Sequence, residues 1–249
     1  MHLGYYPPIL MYHHIDDVKA LTDCDSVSFK TFELQLQFLK KNNYQVITFE
    51  DLCKNIHKGI SKFKKTVVIT FDDGFKDNLE AAKILKKYSF PASIFIIISS
   101  LNKEDFLSDH DINWLQNNST IHFGSHTVSH FHLPHLSIHS QEVEIAHSRN
   151  IMKEKYGINT NILAYPLGGF TKETLNVVKR LGFIGACTTN RGYPETKSAH
   201  PYALRRIKMT ENDNKSIHLL TKCSGYYNIF RKLKSPGVQH PSFTHPSLT

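Results

Sequence analysis

Short apolar runs alternate with longer amphipathic patterns along most of this chain, and each kind predicts a different element. The apolar runs predict strands at residues 8–13, 45–48, 66–71, 92–98, 120–124, 161–165, 183–188 and 203–208. The amphipathic patterns predict helices at residues 28–42, 49–56, 78–88, 141–156 and 172–181. Because repeated alternation of strand and helix implies a parallel sheet covered by helices, we expect an α/β fold whose sheet closes into a distorted barrel.

The composition supports one globular domain. With 249 residues, of which 40% are hydrophobic, the chain can bury a sizeable core, and this length suits a single (β/α) barrel. Residues 235–249 contain few apolar side chains. We therefore expect a flexible C-terminal tail there and a single domain over residues 1–234.

The chain carries an excess of positive charge, with a formal net charge of +8 at pH 7. Two clusters of basic residues contribute to it: Lys58, Lys62, Lys64 and Lys65, and Arg231, Lys232 and Lys234. A solvated surface is the ordinary explanation of such clusters, and the alternative is peripheral contact with an anionic membrane or a phosphorylated glycolipid. We expect no nucleic-acid binding, because aromatic and basic residues do not interleave on a recognisable module.

Cysteine spacing and hydropathy bear on the compartment. The four cysteines form no Cys-x-x-Cys pair, which argues against zinc-finger and thioredoxin chemistry. The N-terminus lacks a basic start followed by an apolar signal core, and no apolar run approaches the roughly 18 residues of a membrane span. These features predict a cytoplasmic protein, which would be peripheral at the inner membrane surface if the basic clusters bind lipid. The alternative is an exported protein whose signal segment is missing from the sequence as given.

Two adjacent carboxylates stand where the third predicted strand runs out, in the sequence Thr70-Phe71-Asp72-Asp73-Gly74. Successive side chains of a strand point to opposite faces, so neighbouring aspartates can serve one site only where the strand gives way to a turn, which Gly74 permits. One carboxylate can then bind a metal while the other acts as a base. The alternative is an ordinary turn in which Asp77 or Asn78 caps the following helix.

Two histidines, His126 and His130, follow the strand predicted at residues 120–124. Residues i and i+4 share one face of a helical turn, so on such a turn both imidazoles could reach one cation. The spacing alone is weak evidence, because the chain contains 16 histidines and three such pairs. Together with one of the two aspartates, the pair would supply three ligands, the usual protein contribution to a catalytic zinc site that also binds water.

The segments Thr70 to Gly74 and Ser125 to His130 resemble the first two motifs of the polysaccharide deacetylases, carbohydrate esterase family 4, also called NodB-homology domains. The resemblance implies a metal-dependent enzyme in which Asp72 is the general base and Asp73, His126 and His130 bind the metal. The metal would be Zn²⁺ or another divalent transition metal. The fold implied is a distorted (β/α) barrel of about seven strands.

The third motif departs from the commonest form of the family, which has an Arg before the Pro and an aromatic residue after it. This chain reads Leu163-Ala164-Tyr165-Pro166-Leu167-Gly168-Gly169, which resembles the branch that includes the poly-N-acetylglucosamine deacetylases, as does Leu204-Arg205-Arg206-Ile207. The arginine that orients the base must then come from elsewhere, and Arg206 is the candidate.

The same branch explains the segment Ile9 to Ile15, an apolar strand that ends in His13 and His14. It resembles the Tyr-His element that supplies the catalytic acid in a circularly permuted order, which makes His13 the candidate acid. A lone histidine at the end of a strand is more often a surface or capped residue, but its place after Tyr12 favours the catalytic interpretation. His14 and Asp16 are candidates for supporting contacts only.

The expected chemistry is hydrolysis of an amide. A bound metal ion polarises the carbonyl and lowers the pKa of water, Asp72 takes the proton, and His13 protonates the departing amine. The oxyanion needs donors, for which we consider the metal and a backbone N–H near Tyr165, in the turn that contains Pro166. Leu167 and Tyr165 could form an apolar slot for the acetyl methyl group, and ordinary packing explains them equally well.

These inferences predict an enzyme that removes the N-acetyl group from an N-acetylated amino sugar in a cell-envelope glycan or glycolipid precursor and releases acetate. One alternative is a secreted or anchored poly-N-acetylglucosamine deacetylase. Another is a catalytically silent carbohydrate-binding domain on the same fold, which would be expected to lack the base or a metal ligand. A histidine-rich metal-storage protein would instead bind several equivalent ions.

Overall fold

The computed structural model describes residues 7–58, 63–189 and 200–227. The strands in these ranges are Ile9–Tyr12 (β1), His14–Ile15 (β2), Ser26–Val27 (β3), Gln45–Ile47 (β4), Thr66–Phe71 (β5), Ala92–Ile96 (β6), Ile121–Ser125 (β7), Ile162–Ala164 (β8), Gly185–Thr188 (β9), Leu204–Arg205 (β10) and Ile207–Lys208 (β11). The α-helices are Phe29–Lys41 (α1), Phe49–Asn55 (α2), Asn78–Tyr88 (α3), Asp109–Asn118 (α4), Ile138–Tyr156 (α5), Lys172–Arg180 (α6) and Ser216–Cys223 (α7).

The main sheet closes through one short segment. Its strands follow the order β10-β9-β8-β7-β6-β5-β1-β11, and β4 pairs with the first residues of β5. The two edge strands β10 and β11 are separated in the chain only by Arg206; β10 pairs with β9 while β11 pairs with β1. The segment 204–208 therefore joins both edges, and the wall consists of this segment with β1, β5, β6, β7, β8 and β9. The expected distorted barrel is confirmed.

The alternation of side chains along each strand divides the core in two. Inner positions such as Ile9, Val68 and Phe95 pack together and against α2, whereas the next residues along these strands, such as Leu10 and Ile69, pack in the cluster under the outer helices. All pairings in the main sheet are parallel. Every strand of the barrel therefore presents its carboxyl end at the same mouth, as in other β/α barrels.

Most predicted elements agree with the structure to within a few residues, and the differences have local causes. The strand predicted at 92–98 ends at Ile96 and is followed by a 3₁₀ turn at Ile98–Ser100. Helix α5 begins at Ile138 instead of 141 because the Ser137 side chain caps it by accepting a hydrogen bond from the Ser140 N–H. Helices α4 and α7 and the short strands β2 and β3 were not predicted from the sequence.

Two expectations lie partly or wholly beyond what the structure covers. The tail at residues 235–249 lies outside the described residues, as do residues 1–6 and 228–234 of the expected domain.

Among the helices of the described part of the chain, we find none that combines the length and apolar content needed to cross a bilayer.

Candidate active site

The paired aspartates separate as the chain leaves β5. The Asp72 N–H still donates to the Tyr12 carbonyl of β1 at 3.0 Å, but Asp73 and Gly74 turn away with φ values of 71° and 77°. Glycine is required at position 74 for two reasons. Its φ is in the left-handed region, and a Cβ atom would lie 2.9 Å from Ile96 Cγ2. Asp72 is thereby buried inside the barrel, while Asp73 lies at its rim.

The capping alternative for this segment is wrong in its detail. Asp77 occupies the N-cap position of α3, but its side chain makes no capping hydrogen bond. Its carboxylate instead accepts from His14 Nδ1 at 2.6 Å and from the Ile15 N–H at 3.3 Å. The start of α3 is therefore tied to the segment that follows His13.

Arg206 reaches Asp72 across the barrel interior. Its Nη1 and Nη2 atoms donate to the two carboxylate oxygens of Asp72, each at 2.5 Å, and both residues are buried. The guanidinium also lies over the Phe95 ring, 5.7 Å from the ring centre. Burial by itself would raise the pKa of Asp72, but the charges of Arg206 and His126 outweigh it, so the pKa is lowered and the carboxylate is charged at neutral pH.

His126 and His130 lie on an irregular loop after β7, so the expected helical turn is wrong. Thr127 and His130 have φ values of 67° and 59°, which no helix accommodates. These two residues are linked, because the His130 N–H donates to Thr127 Oγ1 at 3.1 Å. The His126 N–H donates to the Ile96 carbonyl at 2.9 Å and holds the start of the loop against β6.

The loop is also anchored by Glu144 of α5. One carboxylate oxygen of Glu144 accepts from the backbone N–H groups of Val128 and Ser129, at 3.0 and 2.8 Å. Hydrogen bonds to a charged acceptor are stronger than neutral ones, so this contact stabilises the loop between the two histidines. Nothing in the sequence pattern singled out Glu144, because the contact depends on a helix that packs against the loop from another part of the chain.

Asp73, His126 and His130 converge on one point. Asp73 Oδ1 lies 3.4 Å from His126 Nε2 and 3.6 Å from His130 Nε2, and one ligand atom of each residue lies within 4.8 Å of the others. His126 Nδ1 donates to the Ala164 carbonyl at 2.8 Å, which leaves the Nε2 lone pair facing Asp73. Asp73 Oδ1 is buried without a hydrogen bond of good geometry to the described residues. This donor set fits a divalent cation.

The protonation of the two histidines differs. Burial, helped by the neighbouring His126, lowers the pKa of His130 to about 4, so its imidazole is neutral at pH 7 and can act as a ligand. Burial also acts to lower the pKa of His126, but the charges of Asp72 and Asp73 outweigh it and raise that pKa. A cation bound here would take over the role of the proton on His126.

His13 lies beside these residues. Strand β1 pairs in parallel with β5, with Tyr12 opposite Phe71, so His13 follows β1 at the level where Asp72 follows β5. His13 Nε2 is 4.0 Å from Asp72 Oδ2, and the side chain is 21% exposed. Its carbonyl accepts from Asn78 Nδ2 at 2.9 Å, a contact with the start of α3 that the sequence did not indicate.

The Tyr165 side chain does not face the site. Its ring is 0% exposed and stacks on Phe170, and its hydroxyl donates to the Tyr202 carbonyl at 2.8 Å. Its N–H donates to the Cys187 carbonyl at 3.0 Å. The ideas that Tyr165 lines an acetyl slot or gives its own N–H to an oxyanion are therefore wrong, and ordinary packing accounts for this residue.

The two residues after Tyr165 differ in exposure. Pro166 is buried and starts the 3₁₀ turn Pro166–Gly168, whereas Leu167 is partly exposed. Leu167 has φ 55° and ψ 12°, an uncommon conformation for a branched side chain. Within the described residues, no hydrogen bond uses the Leu167 N–H. Leu167 is thus the residue of this turn that keeps an available donor.

Comparisons with known proteins point to one family. A family model for polysaccharide deacetylases matches residues 59–186. The Bacillus subtilis protein YxkH, itself assigned to the polysaccharide deacetylases, is 32% identical over 204 residues, which are 82% of this chain and 71% of YxkH. The poly-β-1,6-N-acetyl-D-glucosamine N-deacetylase of Staphylococcus aureus is 27% identical over 221 residues, covering 81% of this chain and 73% of that enzyme.

A solved structure shows the same fold. The Streptococcus pyogenes deacetylase PplD, determined in complex with acetate, superposes with a TM-score of 0.78 at 28% sequence identity. The match covers 87% of this chain and 97% of PplD. Nearly the whole of that protein is therefore represented in the barrel described above.

Proposed function

This chain belongs to the polysaccharide deacetylase family, and we propose that it is a metal-dependent hydrolase that removes the acetyl group from an N-acetylated amino sugar in a cell-envelope glycan or glycolipid precursor. The observation that carries the proposal is the placement of Asp72. Its carboxylate, held by Arg206, has its Oδ2 atom 4.0 Å from His13 Nε2 on one side and 4.0 Å from His126 Nε2 of the donor set. The candidate base therefore lies within 4.0 Å of both a candidate acid and a histidine of the candidate cation site.

Asp73, His126 and His130 are the residues that would hold the metal, with Zn²⁺ the expected ion. A divalent cation bound there would lower the pKa of water towards neutrality and polarise the amide carbonyl. The hydrogen bond from His126 Nδ1 to the Ala164 carbonyl fixes the orientation of that ring.

Asp72 would accept the proton of the attacking water. Its lowered pKa means that the carboxylate is in the basic form at neutral pH, and the two hydrogen bonds from Arg206 fix its oxygens in one plane. Thr70 Oγ1, which lies 3.4 Å from Arg206 Nη1, adds a polar neighbour on the same inner face of β5. Arg206 would thus orient the base without touching the substrate.

His13 would give a proton to the nitrogen of the departing amino sugar. An amide nitrogen is a poor leaving group until it is protonated, so a positioned acid contributes directly to the rate. The partial exposure of His13 leaves the ring open to the mouth of the barrel, where a sugar can enter. The N–H of Leu167 would complete the site as a donor to the carbonyl oxygen, which becomes an oxyanion when water adds to the carbonyl carbon.

Poly-β-1,6-N-acetylglucosamine is a second candidate substrate, because the Staphylococcus aureus relative that acts on it matches 81% of this chain. The proposal is tested by acetate release from a panel of oligosaccharides and lipid-linked sugars that carry N-acetylglucosamine. Wild-type protein loaded with Zn²⁺ should release acetate from at least one of them, and the matched Asp72→Asn protein should not. Binding of a glycan with no acetate release by the wild type would instead identify a silent carbohydrate-binding domain.

We also propose that the basic surface makes a peripheral contact with an anionic membrane. Lys58, Lys64 and Lys65 are exposed, whereas Lys62 and the second cluster at residues 231–234 lie outside the described residues. The exposed lysines precede β5 and the site follows it, so the two are separated by about 20 Å at 3.3 Å per residue. A membrane at these lysines would face away from the mouth, which favours a glycan that extends from the membrane as substrate.

A further inference from the structure

We propose that Phe131 and a neighbouring cavity form a binding subsite for a second sugar ring of the substrate glycan. This inference rests on the proposed deacetylase function and deepens it, because it names the residues that would bind the sugar next to the acetylated one. Phe131 directly follows the candidate metal ligand His130, and its side chain is 55% exposed. A large aromatic side chain in water next to a reaction centre is available to a ligand.

The cavity beside Phe131 has the size and the chemistry of a sugar site. It has a volume of about 390 Å³ and is lined by Phe131, Leu136, His139, Ser140, Val143 and Glu144. Ligand pockets of this size are ordinarily apolar with a few polar groups that fix the orientation of the ligand. A pyranose ring has an apolar face of C–H groups, which suits Phe131, and a rim of hydroxyl groups, which suits the three polar side chains.

The cavity and the candidate metal site are held as one unit. Glu144, which lines the cavity, is the residue whose carboxylate accepts from the Val128 and Ser129 N–H groups between His126 and His130. The separation between the cavity and the donor set is therefore fixed by hydrogen bonds instead of by a free loop. A sugar seated on Phe131 would hold the next sugar of the same chain near Asp72 in a defined register.

The experiment compares a substrate that is long enough to reach the cavity with one that is too small to reach it. One is a tetramer of β-1,6-linked N-acetylglucosamine, and the other is a small aryl acetate ester. In Phe131→Ala, kcat/KM for the tetramer should fall about 5- to 10-fold, which corresponds to about 1.0–1.4 kcal/mol. The fall should come mainly from KM, since the contact is made equally before and during the reaction. The rate on the ester should not change.

Two further variants sharpen the comparison. Phe131→Tyr keeps the aromatic face and should restore the value for the tetramer, while Ile217→Ala removes an apolar residue of similar exposure on α7 and should have no effect. In an Asp72→Asn background, which should turn over the tetramer only slowly, calorimetry should show weaker tetramer binding when Phe131 is also replaced by Ala. Zinc content is measured in every variant to verify that His130 is undisturbed.

The outcomes separate this inference from the proposed function. Equal kcat/KM for the tetramer in wild type and Phe131→Ala would overturn the subsite, and so would equal losses on both substrates, which would place Phe131 in support of His130. If the wild type releases no acetate from any sugar, the proposed function fails while the calorimetric comparison still decides the subsite. A tetramer that is neither bound nor hydrolysed would overturn the subsite, while acetate release from another glycan of the panel would still support the proposed function.

Discussion

Replacing Arg206 with Met would leave the Asp72 carboxylate charged and buried without its partner. Two charge-assisted hydrogen bonds at 2.5 Å join the pair, and each such bond contributes about 1.5–3 kcal/mol. Breaking a buried ion pair by removing one partner costs about 3–5 kcal/mol, which agrees with that range. We therefore expect Arg206→Met to lower the free energy of unfolding by about 3–5 kcal/mol at pH 7.

The effect should depend on pH in a direction that the structure fixes. In the wild type the pKa of Asp72 is below its unfolded value of about 3.9, so the stability that it contributes is present above that pH and is lost as the pH falls through the folded pKa. Without Arg206, the largest cause that lowers the pKa of Asp72 is lost and His126 remains, so we expect burial to raise that pKa above the unfolded value. The variant then gains stability as the pH falls and Asp72 becomes neutral, so its deficit relative to the wild type should shrink from pH 8 to pH 5.

Urea unfolding of both proteins at pH 5 and pH 8 measures the deficit, with a chelator present so that metal binding adds nothing to the stability. Asp72→Asn and the double variant complete a cycle, and the double variant should be more stable than the sum of the two single effects predicts. A deficit below about 1 kcal/mol, or one that is equal at both pH values, would contradict a charged buried pair.

Four further predictions address the individual roles. His130→Ala should bind about one divalent ion per chain less than the wild type in metal analysis, and equal metal content would exclude His130 as a ligand. Asp72→Asn should keep the metal and lose turnover by on the order of 100-fold or more; near-normal acetate release by the metallated variant would exclude Asp72 as the base. His13→Ala should keep metal and fold and lose amide hydrolysis far more than hydrolysis of an activated aryl acetate ester, whose leaving group needs little protonation, whereas equal losses would indicate positioning. The protein should bind anionic liposomes at low salt and release them as the Debye length shortens to about 10 Å at 0.1 M, and Lys58→Glu with Lys64→Glu should weaken that binding; equal binding to neutral liposomes would refute it.

The barrel was predictable from the sequence because its strands are short apolar runs separated by amphipathic helices. The geometry around His126 was not, because the i, i+4 spacing fits a helical turn as well as a loop. The conformation of the loop is stabilised by Glu144, which lies on helix α5 later in the chain. Its carboxylate accepts hydrogen bonds from two backbone N–H groups of the loop. In the same way, the burial of the Tyr165 hydroxyl was not predictable from its local sequence, since its acceptor, the Tyr202 carbonyl, lies 37 residues further along the chain.

The candidate base, the candidate acid and the arginine proposed to orient the base come from three adjacent segments of the barrel. Strand β1 is flanked by β5 and β11, so His13, Asp72 and Arg206 are neighbours in the sheet, although Arg206 lies 134 residues from Asp72 in the chain. The metal candidates come instead from the turn after β5 and the loop after β7. The adjacent residues Asp72 and Asp73 join the two sets of side chains, because Asp72 belongs to the first set and Asp73 to the metal candidates.

The two sets of side chains depend on different parts of the fold, so substitutions should affect them separately. Arg206 is the residue at which the closing segment changes its partner from β9 to β1, and its N–H donates to the Thr188 carbonyl at the end of β9. In the proposed mechanism, proton transfer through Asp72 and His13 would therefore depend on the closure of the barrel. The candidate cation site depends instead on the loop after β7, which Glu144 of α5 anchors through its backbone N–H groups. We expect variants on the closing segment to lose proton transfer while they keep the metal, and Glu144→Gln to weaken metal binding while the pairing of Arg206 with Asp72 is kept.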